Sequence, residues 1–301
     1  MIDDQPKQPY QPLACPQCHV PTQTTRPFCE RCKFDLRYGT SKLLASGQCI
    51  YCQKRSRFSD EHVFPRWLRS CFPRRHKKTE HYLSRPEKLV FGEDSPIHGQ
   101  IYSRFGDPYT TVVRNVCADC NNGWMSTLQN QAKPLVQRLA EGQRLEIDDL
   151  QSVILARWGA MVTINLKCLA RMLSTTQFQR TTLMNGDMPP GWHMSIARMV
   201  ETDCAGRSFH RAIVVLIGIG SEGDHLRVGS TFFVIERAAF HTMNALGDQT
   251  LQLGLTMVGV SESQFPTLTV WPRNSANFLK NLPDLVGHDL DNIQRHFGHP
   301  G

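Results

Sequence analysis

The chain has 301 residues, 40% of them apolar, with 34 Lys+Arg against 27 Asp+Glu and 11 cysteines. That length supports two or three domains with at least one sizeable core, and the mixed charge argues against a disordered chain. The start, Met1 to Lys7, lacks the basic stretch and apolar core of a signal peptide, and the longest apolar run, 213–220, is too short to span a bilayer, so a soluble protein with no membrane association is expected.

Residues 1–12 are rich in Pro and Gln and read as a loose tail. Cys15-Pro16-Gln17-Cys18 and Cys29-Glu30-Arg31-Cys32 follow, separated by ten residues. Each C-x-x-C pair is a tight turn that sets two thiolates on one edge of a tetrahedral ion, so residues 1–40 read as a zinc ribbon held by Cys15, Cys18, Cys29 and Cys32. The polar spacer is too short to bury a core, and metal would supply most of the folding free energy.

A second set is split by a long insertion: Cys49-Ile50-Tyr51-Cys52 and, much later, Cys117-Ala118-Asp119-Cys120. With eight cysteines in metal-ligand pairs, reduced thiols and a cytoplasmic location are expected. Cys71, Cys168 and Cys204 read as ordinary thiols. Between the pairs, a strand ends near Glu61-His62 and is closed by Pro65, and Arg66 to Phe72 reads as a short amphipathic helix. The basic run Arg74, Arg75, Lys77 and Lys78 follows. Together with Arg55, Arg57 and Arg66 it reads as a surface for nucleic-acid phosphates. Residues 86–99 look irregular. Gln100–Phe105 and Tyr109–Val116 read as a hairpin delivering Cys117, and Asn121 as the N-cap of a helix over about 123–139.

Glu141-Gly142 stops that helix, and Asp148-Asp149 starts another. Its apolar residues, Leu150, Val153, Ile154, Trp158, Met161, Val162, Leu166 and Leu169, recur at helical period and read as core. After Pro189-Pro190-Gly191, strands are expected at 192–199, 210–219, 226–235, 251–260 and 267–271, forming an antiparallel sheet against the helix. His193, His210, His225 and His241 lack ligand spacing. One or two short helices end the chain. Residues 1–130 hold 19 Lys+Arg against 12 Asp+Glu, whereas 131–301 hold 15 of each. All the excess positive charge therefore accompanies the cysteine motifs, which suits a polyanion-binding front half.

The pattern C-x-x-C, Glu61-His62-x-x-Pro65, C-x-x-C-Asn121 resembles the HNH endonucleases of the ββα-metal group, over about residues 45–130. The resemblance implies a structural zinc on Cys49, Cys52, Cys117 and Cys120, His62 as general base, and Glu61 and Asn121 near a catalytic metal. The family's middle Asn is replaced by Val112, with Asn115 close but out of register. The chemistry is coherent: a neutral imidazole activates water, and hard oxygen ligands suit Mg²⁺ or Mn²⁺.

The expected architecture is a multi-domain α+β protein: a zinc ribbon (1–40), an HNH-like nuclease domain (41–145) and a helix-plus-antiparallel-sheet domain (146–301) that recognises a partner or a DNA feature. The expected function is metal-dependent hydrolysis of DNA phosphodiesters, with RNA also open, two structural Zn²⁺ and a catalytic Mg²⁺ or Mn²⁺. The competing readings are a non-catalytic zinc-dependent nucleic-acid-binding protein and a zinc-based protein-interaction platform.

Overall fold

The computed structural model describes residues 47–73, 80–86, 99–105, 107–169, 175–201, 206–217, 224–245, 247–248, 251, 267–272 and 281–296. The expected zinc ribbon, the basic run 74–78 and the expected strand beyond Leu251 lie outside these residues. The described chain is α+β, mixing helices with sheet that is antiparallel except for one short parallel pair at 284–285.

The front half is built on a two-stranded pair. Strand β1 (Phe58–His62) runs antiparallel to β4 (Val112–Cys117), with Phe58 opposite Cys117 and His62 opposite Val112. β4 carries one extra residue between the Ser59–Val116 and Glu61–Val113 pairs, a bulge that bends the strand. Helix α1 (Trp67–Cys71) follows β1 and buries Leu68. The hairpin expected over 100–116 is not formed. Strand β3 (Gly99–Phe105) pairs instead with β2 (Glu80–Pro86), and a single turn of 3₁₀ helix, Pro108–Thr110, separates β3 from β4. In that turn the Asp107 carboxylate accepts from the Tyr109 amide at 2.9 Å. Pro108 sits where its missing N–H costs nothing, so the segment turns rather than pairs.

Helical structure after β4 begins earlier than the sequence suggests. Helix α2 (Ala118–Cys120), a wide π turn (Asn121–Met125) and α3 (Ser126–Ala140) follow one another without a break. Cys117 is the N-cap, and Asn121 has helical backbone angles, so Asn121 is not the cap. Gly123 leaves the helical range at ψ −111, and the segment kinks there.

The back half is a sheet ordered β10-β5-β8-β7-β6, with β9 also paired to β5. The strands are β5 (Trp192–Met199), β6 (Ser208–Ile217), β7 (Asp224–Ile235), β8 (Ala238–Ala245), β9 (Leu268–Trp271) and β10 (Asp284–Leu285). β8 went unrecognised in the sequence. Its residues AAFHTMNA carry no alternation because all eight are buried, with neighbours on both edges and cover on both faces. Helix α6 (Gly287–His296) packs Leu290 and Ile293 with Phe209 and Phe232 in a second apolar cluster.

Helix α4 (Asp149–Leu169) lies between the two halves, and α5 (Gln177–Met184) follows it. α4 is buried nearly all round from Leu155 to Cys168, although Leu150 in the expected stripe is 68% exposed. Among the described residues it is the one helix long and apolar enough to cross a membrane, and most of it is buried within the fold, as in a core helix. On the sheet side Trp158 meets Phe240 at 5.4 Å and Phe233 at 6.3 Å, while Phe233 and Phe240 stack at 4.9 Å. One apolar cluster runs from Ile50 through Leu128 and Trp158 to Phe240. The boundary expected near residue 145 thus falls inside a shared core. Trp158→Ala should lower stability by about 3–5 kcal/mol in urea denaturation, the usual cost of emptying a large aromatic site.

Candidate metal centre and adjacent cleft

The first cysteine pair sits in a tight turn. The Cys49 amide donates to Lys54 O at 3.0 Å, Gln53 N donates to Cys49 O at 2.9 Å, and Gln53 adopts a left-handed φ of 60. The Ile50 amide donates to Asn115 O at 3.0 Å, which fastens this turn to β4. The second pair closes β4 and opens α2, so Cys117 and Cys120 project from a strand end and a first helical turn. Tyr51 packs edge-on against Trp124 with ring centroids 4.9 Å apart, holding the two pairs face to face.

The result is one cluster: the Sγ atoms of Cys49, Cys52, Cys117 and Cys120 all lie within 4.8 Å of one another. Cys52 and Cys117 are 3.6 Å apart. That is far beyond a disulfide bond of about 2.05 Å. It is close to the edge of a tetrahedron with metal–sulfur bonds of about 2.3 Å. The hydrogen bond from the Cys120 thiol, joined by amides of Cys117, Cys52 and Tyr51, outweighs burial and holds the Cys49 thiol down at about 4. The same bond raises Cys120. The set can hold a metal ion such as zinc, whose preference for four soft thiolates it matches.

β1 separates the other residues singled out in the sequence. Adjacent strand residues point to opposite faces. Glu61 faces inward, 2% exposed, where its Oε1 accepts from Gln129 Nε2 at 3.3 Å and Asn165 Nδ2 at 3.5 Å. Burial pushes its carboxyl up to about 7, against the pull of those two amides. Asn121 shares that inner face further along, donating from Nδ2 to Ser59 Oγ at 3.0 Å, while Asn122 is exposed. His62 faces the other way. It lines a cleft of about 520 Å³ with Arg66, Trp67, Arg69, Ser70, Tyr109 and Thr110. The expectation that Glu61, His62 and Asn121 line one opening therefore fails: strand alternation places Glu61 under α4 and leaves His62 in the cleft.

The cleft is cationic. Burial, helped by the charge of Arg66, lowers the pKa of His62 against the opposing pull of Asp60, which favours the neutral ring. Arg66 is exposed, and Arg69 is paired with Asp107 at 3.3 Å. Tyr109 hydroxyl donates to Glu236 at 2.6 Å, tying the cleft wall to the β7–β8 turn. Arg55 and Arg57 are exposed on the segment before β1, whereas Arg74, Arg75, Lys77 and Lys78 lie outside the described residues, as do Cys15, Cys18, Cys29 and Cys32. The histidines of the sheet are bonded within it: His193 with Thr269, His210 with Thr231 and His241 with Ser230. The side chain of His225 lies outside the description.

Polar residues of α4 and α5 near the front half were not singled out in the sequence. Asn165 and Lys167 interrupt the apolar run of α4, and both are buried. That interruption is the one signal that could have marked them. Comparisons with models of known protein families, with curated proteins and with solved structures find no match.

Two outcomes follow from this geometry. Cys117→Ser should lower the zinc bound by the full chain by about one equivalent, measured by elemental analysis. Glu61 holds its proton more tightly folded than unfolded, so its stabilising contribution is complete below about pH 4.5 and is lost as pH rises through about 7. Urea denaturation at about pH 5 and about pH 8 should show a loss on the order of 1–3 kcal/mol that Glu61→Gln largely abolishes.

Proposed function

We propose that this protein is a phosphodiester hydrolase of the HNH class acting on DNA, with His62 as the general base. The observation that carries the reading is a half-buried imidazole at the end of β1, opening into a cleft with Arg66 and Arg69 on a unit whose strand pair and helix meet at four thiols; burial favours its neutral form. A neutral imidazole can take a proton from water, and guanidinium groups can pair with the phosphate oxygens on which charge builds. The concentration of positive charge in residues 1–130 supports a polyanionic substrate. In this reading zinc on Cys49, Cys52, Cys117 and Cys120 is structural: four thiolates leave it no open position for water.

A catalytic Mg²⁺ or Mn²⁺ held by Glu61 and Asn121 does not fit the arrangement described. Glu61 is enclosed, its Oε1 accepts from two amides, and Asn121 turns its amide nitrogen to Ser59. No step is therefore assigned to such an ion. The enclosure of Glu61, with Val112 opposite His62, favours one alternative: a binding protein that holds nucleic acid without cutting it.

A nicking assay on supercoiled DNA, with Mg²⁺, Mn²⁺ or EDTA and a parallel RNA substrate, separates the two. Wild type should nick DNA, and His62→Ala should lose about 10²–10⁴-fold in rate with zinc content unchanged. The rate should rise with pH through a midpoint below the ordinary histidine value of about 6.5 and level off by neutrality. Undiminished nicking by His62→Ala would rule out the base. Salt-sensitive binding by wild type with no cleavage under any ion would establish the binding reading.

A further inference from the structure

Arg180, on α5, is fully buried beside the first cysteine turn. Its Nε donates to Ile50 O at 2.6 Å, inside the Cys49–Cys52 turn. Its Nη2 donates to Gln177 Oε1 at 2.8 Å, and its Nη1 reaches the Thr175 carbonyl and, at 3.3 Å, the Thr175 hydroxyl. Gln177 in turn donates from Nε2 to Tyr51 O at 2.5 Å. Two side chains one helical turn apart therefore grip successive carbonyls between two metal ligands. Capping holds this grip in place: Thr176 Oγ1 accepts from the Gln179 amide at 3.0 Å, and Gln179 Oε1 accepts from the Thr176 amide at 3.1 Å.

A divalent ion on four thiolates carries a net charge of about −2. Burying that charge is costly unless a counter-charge lies within the same low-dielectric region. The guanidinium of Arg180 is in that region: it bonds the carbonyl of Ile50, the residue after Cys49, and lies within electrostatic reach of Cys168, of Tyr51 and, most weakly of the three, of Cys49. We propose that Arg180 is the buried counter-ion of the four-cysteine metal centre, supplied by the back half of the chain, so that metal binding at Cys49, Cys52, Cys117 and Cys120 is coupled to the docking of α5. Gln177 shares the hydrogen-bonding role and carries no charge, so the pair offers its own control.

The test is zinc affinity of the full chain by competition with a chromogenic chelator, the relevant step being the one missing from Cys49→Ser. Arg180→Met should weaken that step about 10–100-fold, the usual effect of removing an outer partner of a metal centre. Arg180→Lys, which keeps the charge and loses the fork, should stay within about fivefold of wild type, and Gln177→Ala within about threefold. The gap in melting temperature between zinc-loaded and chelator-stripped protein should narrow in Arg180→Met, because the metal-free thiols carry less negative charge to balance. A role confined to packing would lower both melting temperatures equally and overturn the proposal. It is also overturned if Gln177→Ala weakens zinc as much as Arg180→Met does. Should Arg180→Met not fold, a 10-fold or greater loss of zinc affinity in Arg180→Lys overturns it, and retention supports it.

Discussion

The meeting of four thiols that are up to 71 residues apart in the chain is the constraint on which the front half depends. The first cysteine turn and the end of β4 also bury Ile50, Tyr51 and Val116 in the main core. Their mutual placement relies on the cluster, on the Ile50–Asn115 backbone bond and on Tyr51 against Trp124. Once β4 is anchored at Cys117, its pairing with β1 sets which face each β1 residue presents. The alternation puts Ser59 and Glu61 toward the helix side and His62 toward α1 and Tyr109.

The two halves then act as one body of packing. α4 offers Asn165 to Glu61 and Trp158 to the aromatic residues of the sheet. α5 offers Gln177 and Arg180 to the first cysteine turn. The β7–β8 turn reaches back as well, with Glu236 accepting from Tyr109 and the Arg237 amide donating to Ala140 O at 3.1 Å. Buried polar groups of this kind cost free energy unless each is paired, so their pairing across the halves favours one relative placement. A back half that supplies Asn165 to Glu61 and grips the carbonyls of Ile50 and Tyr51 helps to place the four-cysteine cluster.

Several elements were readable because their signals are local. C-x-x-C spacing depends on one turn, β5 was recovered to the residue from Trp192 to Met199, and Gly142 at φ 82 ends the segment after α3. Others were hidden for identifiable reasons. β8 has no polar face to alternate with, so its pattern is that of any buried segment. The β3 strand was assigned to β4 because sequence proximity favours a hairpin, yet the Asp107-Pro108 turn directs the chain into a 3₁₀ turn and β2 takes the pairing. Asn121 resembled a cap because it follows the cysteine pair, but Cys117 already opens the helix.

By itself, the sequence determined which four cysteines, Cys49, Cys52, Cys117 and Cys120, form the cluster that could hold a metal, the types of most elements and the concentration of positive charge near the cysteines. These follow from residue chemistry and from periods of two or about 3.6, which neighbours along the chain establish among themselves. Only the tertiary structure decided that Glu61 is enclosed while His62 stays in the cleft, and that a guanidinium from residue 180 bonds the Ile50 carbonyl inside the first cysteine turn. Burial and charge environment depend on what distant elements bring to a surface, and no local spacing encodes the partner that arrives a hundred residues later.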